Sequence, residues 1–98
     1  MALIMAVHRV PSLTQERYEN VVSRLTGGKP RIENLTELPF DGLLVHLAGE
    51  SVEGFCVVDI FESEAAAARF SEVVSPIAGE FGIEEPPEFL EAHTALWA

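Results

Sequence analysis

Two rhythms alternate along this chain. From Ala2 to Val10 the residues are apolar and β-rich, and Pro11-Ser12 ends the run, which predicts a strand. Tyr18, Val21, Val22 and Leu25 then repeat at the i, i+3, i+4, i+7 spacing of one buried helical stripe. Thr14 stands where an N-cap belongs, with Gln15 and Glu16 in the first turn, and Gly27-Gly28 supplies the left-handed stop that Pro30 makes final. The rhythm returns to strands at Gly42 to Gly49 and Phe55 to Phe61. These are expected to be antiparallel neighbours joined by the turn Gly49 to Gly54. Ser63 caps a second helix with Ala66, Phe70, Val73 or Val74, and Ile77 toward the core, and Pro76 is expected to kink or restart it before Gly79 to Gly82. Pro86-Pro87 opens a last strand, Phe89 to Trp97. Thr26 to Phe40 is a long connection against a median of about 4–6 residues, and Ile32, Leu35, Leu38 and Phe40 are spaced to pack down. Two readings fit it: a lid, or a surface excursion with a helical turn around Glu33 to Leu38.

The order β-α-β-β-α-β predicts a single α+β domain over residues 1–98. Its arrangement is the ferredoxin-like split βαβ, with two helices on one face of a four-stranded antiparallel sheet. A sheet with one wet face alternates apolar with polar residues. This one does not. Leu3, Met5 and Val7 oppose Ala2, Ile4 and Ala6; Leu43, Val45 and Leu47 oppose Leu44 and Ala48; Phe55, Val57 and Phe61 oppose Cys56, Val58 and Ile60. Two helices bury one face only. Leaving ~400–600 Å² of apolar surface wet forgoes on the order of 10 kcal/mol, so a second copy is expected to stack sheet on sheet and close a dimeric α+β barrel.

Composition narrows the partners. With 48% hydrophobic and 22% charged residues the 98-residue chain belongs to folded domains, and no apolar run reaches the ~18 residues of a membrane span. The net charge is −10. Before Glu50, Glu16, Glu19, Glu33, Glu37 and Asp41 cancel Arg9, Arg17, Arg24, Lys29 and Arg31; from Glu50 onward the other eleven acids face Arg69 alone. Such a surface repels phosphate backbones, so no nucleic-acid partner is expected. The lone Cys56, between Phe55 and Val57, reads as a buried strand thiol. The opening Met1 to Val7 lacks a signal peptide's length and positive start, so a cytoplasmic protein is expected and Asn34-Leu35-Thr36 is a chance sequon. Gly27-Gly28-Lys29 ends a helix instead of joining a strand to one, which removes a phosphate-loop reading.

Asp41-Gly42-Leu43-Leu44-Val45-His46-Leu47-Ala48-Gly49, Gly54 to Phe61 running into Glu62-Ser63, Glu64-Ala65 and Arg69-Phe70 together resemble the small dimeric α+β barrel proteins, especially those grouped with antibiotic biosynthesis monooxygenases. The resemblance covers nearly the whole chain. It implies the barrel fold and a choice of activities: cofactor-free monooxygenases of quinone-forming pathways, polyketide cyclases, muconolactone-type isomerases, and haem-degrading or chlorite-converting enzymes. The haem-degrading relatives bring an axial histidine from the second helix, and Ser63 to Phe81 contains none.

The candidate chemistry lies on the strands. Side chains two apart share a face, so His46 goes with Leu44 and Ala48, His93 with Glu91 and Trp97, and Asp59 with Phe55, Val57 and Phe61. If those faces turn toward the helices, His8, His46, Asp59, Glu91, His93 and Trp97 line one apolar pocket. There a neutral imidazole, His46 or His93, is suited to take a proton near pH 7 while Asp59 orients it, and His8, Tyr18, Phe70 and Trp97 bind the substrate or wall the pocket. Each has a plainer role. His46 fits a core histidine satisfied by a hydroxyl or carbonyl, His93 the dimer seam, His8 a solvated strand end, Asp59 a partner of Arg9 or Arg69, and Trp97 a core or dimer anchor. No two histidines stand at ligand spacing, and no Cys-x-x-Cys, Ser-His-Asp signature or glycine-rich nucleotide motif is present, so neither metal nor cofactor is expected.

Two functions follow. One is a homodimer that binds a small aromatic or polyketide-type molecule and acts on it by proton abstraction, as a cofactor-independent monooxygenase or cyclase. The other is a non-catalytic dimeric ligand-binding or structural module. A pocket lined by two or more of His46, Asp59 and His93 favours the first; one filled by Phe55, Phe61, Phe70 and Trp97 favours the second.

Overall fold

The computed structural model describes residues 2–98; Met1, which opens the first apolar run, lies outside them. The elements follow the expected order: β1 (Ile4–His8), α1 (Gln15–Thr26), β2 (Leu43–Ser51), β3 (Gly54–Phe61), α2 (Glu64–Glu80) and β4 (Glu88–Glu91). The sheet is antiparallel in the order β2-β3-β1-β4, compatible with a ferredoxin-like arrangement. Among the described residues no helix is long and apolar enough to cross a membrane.

Local chemistry sets both helices. Thr14 in extended conformation accepts from the Arg17 amide, and Gly27 closes α1 at φ 79°. Ser63 caps α2 through the Ala66 amide. Of the two courses expected at Pro76, a restart is ruled out: α2 runs as one helix through it to Glu80. Pro76 is exposed, so water can satisfy the carbonyl that its missing N–H leaves unpaired. At the entry to β2, Gly42 has φ 89°, and a Cβ there would lie 2.5 Å from Ala66 Cβ, so this turn admits only glycine.

One face of the sheet carries the core. Phe55, Val57, Asp59 and Phe61 of β3 are all buried beneath the helices. The same face takes Ile4 and Ala6 from β1 and Leu43 and His46 from β2. A register shift between Leu43 and Val45 lets Leu43 and His46 share that face, where strict alternation would part them. Apolar burial falls into two clusters. Ile4, Ala6, Leu38, Leu43, Phe61, Ala66 and Ala67 form one, and Leu13, Val21, Phe55, Val57, Ala78 and Ile83 the other.

The Thr26 to Phe40 connection packs down as a surface excursion. Leu35–Glu37 form a 3-10 turn inside a capping box from Asn34 and Glu37, and Lys29 binds Glu37 at 2.6 Å. That contact raises the Lys29 pKa through its hydrogen bond to Glu37 and lowers that of Glu37. Leu38 is buried, and Phe40 meets Phe70 edge to face at 5.1 Å.

The last strand is shorter than expected. In place of Phe89 to Trp97 it spans Glu88–Glu91, all exposed. Glu91, its last residue, pairs with Ile4, the first of β1, and the Ala92 amide reaches the Leu3 carbonyl at 2.8 Å. The opposite sheet face carries Met5, Val7, Val45, Leu47, Cys56, Val58, Ile60 and Leu90, with no helix over it. Leu47 there is 60% exposed, and the Cys56 thiol is free and only partly buried.

Candidate functional site

Between the sheet and the helices lies a cavity of about 270 Å³ whose lining draws on both apolar clusters. Its floor is sheet: Ala6 and His8 of β1, His46 of β2, Val57 and Asp59 of β3. Its walls come from Tyr18, Val21, Val22 and Leu25 of α1 and from Phe70, Val74 and Ala78 of α2. Ile32, Leu38 and Phe40 of the long connection close one side, so the segment walls the cavity without holding a catalytic group. Glu84, Glu85, Pro86 and Pro87 border another side. Among the described residues no lysine or arginine lines it.

Three polar side chains form a chain in this apolar surround. Asp59 and His46 face one another across β2 and β3, and His46 Nδ1 lies 2.6 Å from Asp59 Oδ1. Tyr18, projecting from α1, brings Oη to 2.6 Å from His46 Nε2. The Tyr18 and His46 rings lie nearly parallel, 9° apart, and Phe55 packs against Tyr18 at 5.0 Å between centroids. Asp59 is 3% exposed, a burial a carboxylate accepts only with a partner, and it has one in His46 rather than in Arg9 or Arg69. Among the described residues no buried side-chain polar atom lacks a partner.

The proton order follows from the partners. An ionised carboxylate only accepts, so Nδ1 carries the hydrogen that Asp59 receives. With the ring neutral, Nε2 is the nitrogen left to accept from the Tyr18 hydroxyl. Burial first, and then the negative charges of Asp59 and Glu19, push the Tyr18 pKa up to about 12, which keeps the phenol protonated and donating at neutral pH.

A second set of bonds holds the border of the cavity. His8 Nε2 donates to the Glu85 carbonyl at 2.8 Å, and the Ser12 hydroxyl binds the Glu85 carboxylate while accepting from the Glu84 amide. Arg17 reaches the Ser12 and Gly82 carbonyls at 2.9 and 3.1 Å, tying α1 to the two segments whose next residues, Leu13 and Ile83, line the cavity. His8 is therefore a cavity residue with a tertiary partner, not a solvated strand end.

Of the residues singled out from the sequence, His46, Asp59, His8, Tyr18 and Phe70 line the cavity together. His93 and Trp97 do not. Both follow the end of β4; His93 is exposed with its ring on the Thr94 hydroxyl at 2.7 Å, and Trp97 is 62% exposed. Glu91 pairs with Ile4 at the sheet edge, outside this cavity. Sequence reasoning placed Tyr18 as a wall and missed its hydroxyl as the partner of the histidine. The signal was present: the chain's one tyrosine sits on a buried helical stripe, where an O–H must find an acceptor. Glu84, Glu85, Ser71 and Ser75 as lining were not foreseen. Among the described residues no group of three or more His, Cys, Asp or Glu side chains is placed to hold a metal ion. No protein-family model, curated protein or solved structure matches the chain.

Proposed function

We propose that this protein binds a small, largely apolar aromatic molecule in the cavity and removes a proton from it, as a cofactor-independent monooxygenase or polyketide-type cyclase does, and that it works as a homodimer. The observation that carries the reading is the Tyr18–His46–Asp59 chain set into an apolar cavity. His46 is the group on which the proton comes to rest; Asp59 holds the ring in the Nδ1–H tautomer and balances the charge it gains. Phe40, Phe70 and the aliphatic walls keep water from the anion that forms.

From a carbon between an aryl ring and a carbonyl, proton loss leaves a carbanion with two outlets. With molecular oxygen it forms a peroxide that takes a proton and loses water, so that a CH2 and O2 become a ketone and H2O. With a carbonyl in the same molecule it forms a ring bond, and the carbonyl oxygen takes the proton. The dimer reading is supported by the uncovered apolar face, on which Leu47, Val58 and Leu90 would meet their counterparts in a second copy.

The test is deuterium uptake from D2O into the activated methylene of 2-tetralone, a neutral two-ring ketone. Wild-type protein is expected to accelerate it and His46→Gln to abolish the effect. Oxygen consumption with anthrone then separates oxygenation from ring closure. If wild type exchanges no faster than buffer and no aryl ketone raises its melting temperature, the catalytic reading is wrong and the chain is a binding or structural module.

A further inference from the structure

Resting on the proton-abstraction reading above, we propose that Tyr18 Oη, and not His46, is the atom that takes the proton from the bound molecule, handing its own phenolic proton to His46 Nε2. Both nitrogens of His46 are engaged at 2.6 Å, one by Asp59 and the other by Tyr18. A molecule in the cavity cannot reach Nε2 unless Tyr18 leaves, and Tyr18 is held in place. Its hydroxyl is bonded to His46, its ring packs against Phe55 at 5.0 Å between centroids, and its helix is anchored by Arg17 to the Ser12 and Gly82 carbonyls. The phenol oxygen has donated its hydrogen to Nε2 and keeps lone pairs to accept another.

The step balances as one proton moved and no electrons transferred. The C–H or O–H bond of the substrate breaks and a new O–H forms on Tyr18, while the old Tyr18 O–H breaks and N–H forms on His46 Nε2. The imidazolium is paired with the Asp59 carboxylate, and the substrate is left as an anion. A high phenol pKa suits this role, since tyrosinate never accumulates and Tyr18 accepts only as it gives. The relay also answers a question the lining raises. Among the described residues no lysine or arginine stands in the cavity to stabilise an anion, but after the transfer the new Tyr18 O–H points back at the anion it created and donates to it.

The test is Tyr18→Phe in the full-length protein. Phenylalanine keeps the ring against Phe55 and removes only the oxygen. If Tyr18 relays the proton, kcat for 2-tetralone exchange falls about 100-fold or more while KM stays within about threefold. If His46 acts directly, removing the oxygen uncovers Nε2, and a rate equal to or above wild type overturns the relay while leaving the proposed function intact. Absence of exchange in wild type defeats the proposed function and the relay with it, so the two failures are told apart. A measurement on unaltered protein guards against misfolding of the variant: nitrogen NMR of labelled histidine with 2-naphthol bound. An Nε2 signal that keeps its hydrogen-bonded position on saturation supports the relay, and one that moves as Tyr18 is displaced overturns it.

Discussion

The two faces of the sheet solve burial in opposite ways. On the covered face Asp59, the most polar kind of residue, is 3% exposed and partnered; on the open face Leu47, two strands' width of chemistry away in character but one residue from His46 in sequence, is 60% exposed with nothing over it. The covered face spends its helices on a cavity and a hydrogen-bonded chain, and its small residues Ala66, Ala67 and Ala78 let α2 lie close. The open face is mostly apolar, with Glu88 beside Val7 at its β4 edge and the Cys56 thiol among the aliphatic residues, and no helix covers it. A buried charge is tolerable where geometry supplies a partner, whereas an apolar patch needs only area, and any second apolar surface will serve.

That contrast can be broken at either face. The largest effect is expected from Phe61→Ala, because Phe61 is fully buried between Leu43, Ile4 and Phe70: about 3–5 kcal/mol of unfolding free energy by urea titration. Asp59→Asn should leave the fold nearly intact but let an amide N–H face Nδ1, turning Nε2 into a donor; the expected loss of 2-tetralone exchange is about 100-fold or more, or about 2.7 kcal/mol.

A smaller effect belongs to Tyr18. With its pKa raised from the ordinary 10.0 to about 12, the folded state binds the proton more tightly. The stabilisation is therefore complete below pH 10 and is lost as pH rises from there through 12, amounting to about 1 kcal/mol once the half-exposed ring is allowed for. As the chain has one tyrosine, near-ultraviolet phenolate absorbance reads this titration directly, and a midpoint at 10 would dissolve the buried hydroxyl contact. The smallest effect on the folded monomer is expected from Leu47→Glu, within about 0.5 kcal/mol by urea titration, since the side chain is mostly exposed. The same change should convert a dimer to a monomer in sedimentation at micromolar concentration; an unchanged mass would remove the sheet-to-sheet interface.

Much of the fold was legible because its signals are local. Thr14 and Ser63 cap the helices they were expected to cap, and Gly27 takes the left-handed stop, since each involves groups within about a turn. Alternation placed Asp59 with Phe55, Val57 and Phe61, and the pairing of β2 with β3 set His46 opposite it. The Leu43/Val45 bulge escaped because a register shift carries no residue signature, and the unbroken course of α2 escaped because Pro76 breaks a helix or not according to whether water reaches the freed carbonyl. His93 and Trp97 were placed on a strand by their apolar neighbours, but a strand extends only as far as its pairing, and that of β4 ends where Glu91 meets Ile4, the first residue of β1.

What the sequence determined by itself was the set of elements, the residues with which Asp59 shares a face and the absence of a polar rhythm along the strands, because side-chain direction in a strand or helix repeats with a period that can be counted. What only the tertiary structure decided was that Tyr18, 28 residues before His46, puts its oxygen on the one ring nitrogen that Asp59 leaves free. A hydrogen bond of 2.6 Å depends on the packing of α1 over the sheet to within a fraction of an ångström, and no count along the chain contains that distance.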